Sequence, residues 1–243
     1  MKLSHVLLSA ATLALVGGAT NAVVNADTAY PDATHANVTG SISFGEDNDP
    51  TLPTDPEDPD KPINPVDPTN PNGAELMITY ASNLKFGEQS KNATEFHALA
   101  DKIIENGTEK ELVPIVSVKD SRGTDRKGWV LTAKLDKEFV DSKGNPLKGA
   151  DLSFSNMKFA DREDAPTAGE NVTLSNEAQE IASTDANHGI GVWSMALGQL
   201  SGEAGSQTTD GVTLTVPTTS SKNTDGYSTT VTYELTADPS AAN

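Results

Sequence analysis

Residues 120–135 read DSRGTDRKGWVLTAKL. A charged turn opens this stretch and runs into a strand, where Trp129, Leu131, Ala133 and Leu135 alternate with Val130, Thr132 and Lys134 at the period of a half-buried β-strand. Toward the other end, residues 227–239 read YSTTVTYELTADP, with Tyr227, Thr229, Val231, Tyr233, Leu235 and Ala237 on one face and Ser228, Thr230, Thr232, Glu234 and Thr236 on the other. One dry face and one wet face point to antiparallel sheet. Outward from these two segments, further short runs stand at residues 76–80, 112–119, 151–154, 171–174, 191–197 and 212–216, separated by Gly, Asn, Asp and Pro turns. That pattern predicts an all-β domain, an antiparallel sandwich or barrel-like fold. Residues 94–104, TEFHALADKII, fit both templates: Phe96, Leu99, Ile103 and Ile104 make a helical stripe, and Phe96, Ala98 and Ala100 a strand face.

The most regular feature is proline at positions 50, 53, 56, 59, 62, 65, 68 and 71, a three-residue interval that matches the polyproline II turn. Eight acids and one lysine lie between Glu46 and Gly73. Their repulsion favours an extended, solvated loop reaching about 65 Å at roughly 3.1 Å per residue. A recognition ligand would carry aromatic or basic flanks, which are missing, and Asp47, Asp49, Asp55 and Asp58 show no fixed calcium geometry. Ahead of it, residues 37–44 read NVTGSISF, with Val38, Ile42 and Phe44 on one face. An isolated strand cannot bury that face, so pairing with the C-terminal domain is expected.

Met1 to His5 carry one lysine, Val6 to Val16 are apolar and Val24-Asn25-Ala26 suits processing, the layout of a secretory signal peptide. The expected organisation is therefore a signal over 1–26, an arm over 27–45, the acidic proline-rich loop over 46–73 and the β domain over 74–243. No further long apolar run appears as a transmembrane anchor, and with no cysteine there is neither a lipid-bearing thiol nor a disulfide. Without the signal, 16 basic residues face 35 acids, a net charge of about −19, which argues against nucleic acid as partner. The charge is uneven. Residues 119–148 hold eight basic residues against five acids, whereas residues 160–243 hold only Arg162 and Lys222 against twelve.

The turn and the two strands resemble the WxL domain, a C-terminal surface module of low-GC Gram-positive bacteria. That family sets a Trp-x-Leu after a D-x-R-G-T-like turn and a second Trp-x-Leu in the final strand. Here Trp129-Val130-Leu131 follows Asp120, Arg122, Gly123, Thr124 and Gly128, while Tyr233-Glu234-Leu235 stands at the distal place. The resemblance runs over about residues 37–239 and favours strand for 94–104. It implies a secreted protein held non-covalently at the cell wall by peptidoglycan binding. The further partners it implies are other WxL-domain proteins, a membrane-anchored subunit or a host matrix protein; an interaction subunit or adhesin is the alternative function.

On that reading the candidate wall-binding residues are Arg122, Arg126, Lys127, Trp129, Leu131, Tyr233 and Leu235. The three cations suit wall carboxylates or phosphates, against the plainer alternative of a loop paired locally with Asp120 and Asp125. Trp129 suits a core anchor, and an exposed aromatic would suit stacking on sugar rings. Trp193 reads as core. Nothing composes a catalytic or cofactor site. His97 and His188 form no metal-spaced pair, Ser201 is misplaced for a nucleophile elbow, and acid abundance alone identifies no catalytic carboxylates.

Overall fold

Residues two apart on a pleated strand share a face, so alternation decides which side chains of residues 129–135 enter the interior. In the computed structural model, which describes residues 28–237, Trp129–Leu135 is a strand with Trp129, Leu131 and Ala133 fully buried and Val130, Thr132 and Lys134 half-buried. The expected signal peptide lies outside the described residues. The chain divides into two units, one ending at Gly45 and one beginning at Glu46. No helix occurs among the described residues.

The strands that build the larger unit are β1 (Leu76–Ala81), β2 (Glu95–Leu99), β3 (Ile115–Asp120), β4 (Trp129–Leu135), β5 (Asp151–Phe154), β6 (Gln179–Thr184), β7 (Gly191–Leu197), β8 (Thr208–Thr215) and β9 (Val231–Ala237). With four shorter strands they make the three largest sheets, all antiparallel, and three two-stranded sheets complete the unit among the described residues. In the first, Thr167–Ala168, β6, β4 and β9 lie in that order; in the second, Met157–Lys158, β7, β3 and β1; in the third, Val172–Thr173, β5, β8 and Leu200–Ser201, with β2 also on β8. All three contribute to one core, with Trp129, Leu131 and Ile181 from the first, Val116, Val118 and Met195 from the second, and Phe96, Phe154 and Val212 from the third. The fold is all-β and antiparallel.

The ambiguous stretch 94–104 resolves into β2 and a second strand, Asp101–Glu105, that pairs with Thr108–Leu112. Strand β6 falls outside the runs expected from sequence. Its segment QEIAST alternates weakly, yet Ile181 and Ala182 are fully buried because β4 pairs along it.

The proline-rich stretch departs from the extended reading. Thr54–Asp55 pairs with Asp58–Pro62, and the Ile63 N–H donates to the Pro53 carbonyl at 2.9 Å. Asp55 accepts from the Glu57 N–H and Asp58 from the Asp60 N–H, closing the reversal with side-chain turns. Proline is tolerated because these are edge strands, where a missing N–H breaks no central ladder. Ile63 anchors the segment in a second small cluster with Tyr80, Ile103 and Ile115. The Thr54 N–H donates to Ser194 Oγ of β7 at 3.2 Å. Lys119 Nζ, from β3, donates to the carbonyls of Asp47 and Asp49 and lies 2.9 Å from the Asp47 carboxylate. This strap explains why every residue of β3 is buried, on both faces.

In the smaller unit, Thr28–Asp32 pairs antiparallel with His35–Val38. The strand expected over residues 37–44 stops at Val38, and Ile42 and Phe44 are exposed.

Candidate functional site

The turn before β4 is built around a buried carboxylate. Asp120 ends β3 with no exposed surface, and a charge removed from water requires a partner. Arg122 supplies it with a two-pronged contact, Nε to Oδ1 at 2.9 Å and Nη2 to Oδ2 at 2.8 Å, and Nη2 also donates to the Gly128 carbonyl at 2.8 Å. Arg126 Nη1 lies 3.8 Å from the same carboxylate and donates to the His188 carbonyl at 2.9 Å. Gly128 then takes φ +105°, and a Cβ there would stand 2.0 Å from the Thr184 carbonyl oxygen of β6. Only glycine lets β4 approach β6 so closely.

The two motif strands are neighbours. In the β4–β9 register Trp129 faces Ala237, Leu131 faces Leu235 and Ala133 faces Tyr233. Trp129 and Leu131 are wholly buried, and the indole Nε1 has no hydrogen-bond partner. Trp193 is buried as expected, its indole donating to the Ile190 carbonyl at 2.9 Å. Tyr233 and Leu235 are half-buried. The Tyr233 ring stacks on Phe154 at 6.4 Å between centroids, and its hydroxyl is buried without a partner. Burial pushes the hydroxyl's pKa upward, so it remains a neutral donor across the physiological range.

Beside Tyr233 opens a cleft of about 1040 Å³, between the segment following β1, residues 81–91, and the segment leading to β9, residues 222–231. Phe96, Leu152, Leu214 and Tyr233 contribute to its lining, together with the polar residues Asn83, Lys85, Lys91, Lys222 and Asn223. Lys222 Nζ donates to the carbonyls of Lys91 at 3.0 Å and Ala93 at 2.6 Å, and stands 5.9 Å from the centre of the Phe96 ring. Asn223 donates its amide to the Asp141 carboxylate at 2.7 Å, tying the cleft's edge to the 140–146 loop. Asp141 also accepts from Asn145, which holds its pKa down at about 2.

The structure thus divides the sequence-derived candidates. Arg122 and Arg126 fasten the turn, Trp129 and Leu131 form core, Lys127 is exposed, and Tyr233 lines the cleft. Lys222 and Phe96 were not among those candidates. Lys222 nevertheless left a signal, as one of two cations in the acidic last third of the chain. Among the described residues no three His, Cys, Asp or Glu side chains converge as metal ligands, and no helix is long and apolar enough to cross a membrane.

A family model described as WxL domain, surface cell wall-binding, matches residues 31–239. No curated protein and no solved structure matches the chain.

Proposed function

We propose, from the premise that this chain belongs to the WxL family of surface cell wall-binding domains, that it is a non-catalytic protein held non-covalently by peptidoglycan. Wall binding at the cell surface is the family's property; peptidoglycan as the ligand is the finer reading. The observation that carries it is the cleft beside Tyr233, where aromatic and aliphatic side chains meet lysines and amides. Apolar faces of sugar rings pack on such a floor while their hydroxyl and acetamido groups find donors at the edge. Of the nominated residues, Tyr233 lines the cleft and Lys127 is exposed, which supports a contact role for those two. Arg122, Arg126, Trp129 and Leu131 act through the shape of the β4–β9 pair, with Leu235 opposite Leu131.

Co-sedimentation of the full chain with protease-stripped, teichoic-acid-free peptidoglycan tests the reading. Saturable sedimentation is expected. A folded protein left wholly in the supernatant would overturn it in favour of a protein receptor on the cell surface.

A further inference from the structure

The smaller unit is a hairpin without a core. Thr28–Asp32 and His35–Val38 pair through a turn in which Asp32 accepts from the Thr34 N–H at 2.8 Å, yet every residue of both strands is exposed. A lone two-stranded hairpin is marginal in water and gains standing only from a further strand or a packed layer. Of the seven large apolar side chains exposed among the described residues, four lie in the short segment 28–45: Tyr30 and Val38 at 76%, Ile42 at 77% and Phe44 at 87%. Val38, Ile42 and Phe44 stand at even spacing, so an extended chain sets them on one side and Thr39, Ser41 and Ser43 on the other.

The chemistry of the segment selects its occupant. Residues 36–45 carry no charge, and the one acid of the hairpin, Asp32, lies 2.8 Å from His35. A segment that docks on a membrane sets cations beside its apolar residues, whereas Glu46, Asp47 and Asp49 follow this one. An uncharged apolar stripe is complementary to itself, which is what a twofold contact requires. Its four side chains offer roughly 500 Å² in one copy and roughly 1,000 Å² in two, the size at which a specific interface begins.

We propose that residues 28–45 are a self-association element, in which Tyr30, Val38, Ile42 and Phe44 of one copy pack against the same residues of a second copy. The dimer carries two wall-binding units, so engagement of the first raises the effective concentration of the second at the wall. The proposal stands apart from the identity of the wall ligand.

Sedimentation equilibrium of the chain from Asp27 onward, which holds every described residue, tests it. The wild type should show twice the chain mass at about 100 μM, above the micromolar Kd that a small interface supports. Ile42→Asp combined with Phe44→Asp should return it to monomer, a loss of at least about a hundredfold in association from two charges set in an apolar contact. Ser41→Asp combined with Ser43→Asp adds the same charge on the other side of the segment and should leave the dimer standing. The chain has no cysteine of its own, so Ile42→Cys reports the contact directly and should oxidise to a disulfide-linked dimer about tenfold faster than Ser43→Cys. A wild type that stays monomeric would overturn the proposal, as would equal dissociation by the two aspartate pairs or equal oxidation at 42 and 43. A monomer that co-sediments with phosphatidylcholine vesicles would overturn it in favour of a membrane surface.

Discussion

Asp120 and Tyr233 are two buried polar residues with opposite fates. Asp120 has three guanidinium nitrogens around it, so its removal leaves Arg126, itself almost fully buried, without a carboxylate. Breaking a buried pair from one side costs about 3–5 kcal/mol. Asp120→Ala should lower the unfolding free energy by that amount in urea titration, with wall binding lost only as folding is lost. Tyr233 carries a buried hydroxyl with no partner, and deleting such a group removes a desolvation cost. Tyr233→Phe is accordingly expected to be neutral or to stabilise by about 1 kcal/mol in the same titration. The residues D-x-R-G-T could be picked out from sequence as a unit, but their destination could not. Local pairing with Asp120 is one of two readings the sequence offers; the complete burial of Asp120, which decides for it, is a property of the fold.

At the level of elements, the strap over residues 46–72 changes the meaning of the prolines. A three-residue period encodes local conformation, and Ile63, an apolar residue within it, decides where the segment goes. A chain beginning at Gly73 should be less stable than one beginning at Glu46 by about 2–5 kcal/mol or more, the cost of removing one buried isoleucine side chain from its cluster. Chemical denaturation of the two forms measures it. The loop at 140–146 offers a second prediction. Asp141 titrates at about 2 in the fold against about 3.9 when unfolded, so it stabilises fully above the higher value and loses that contribution as pH falls toward the lower. The stability gap between wild type and Asp141→Asn should hold steady above about pH 4 and shrink from there to about pH 2. Strand β6 escaped the sequence reading because QEIAST has only two strongly apolar residues. Its burial comes from pairing with β4, a contact between residues about fifty apart.

For the whole molecule, charge and architecture together set how attachment responds to solution conditions. A protein with net charge −18 is repelled by an acidic wall at long range, and salt screens that repulsion as well as any local attraction. A half-buried cation is screened less than exposed charges are. Raising salt from about 0.1 M to about 1 M should therefore reduce wall binding less than about tenfold, as read by sedimentation. The sequence by itself determined the all-β class, the strands at 129–135, 151–154 and 191–197, and that Trp129 and Leu131 share one face of their strand. It did so because alternation and turn chemistry are local properties of the chain. Only the tertiary structure decided that Arg122 and Arg126 are fasteners, that the proline-rich segment covers β3, and that Lys222, Phe96 and Tyr233 share one cleft. Arg122 meets Asp120 only two residues away, but the burial of that pair and the other placements depend on segments far apart in the chain, joined by contacts that no local pattern records.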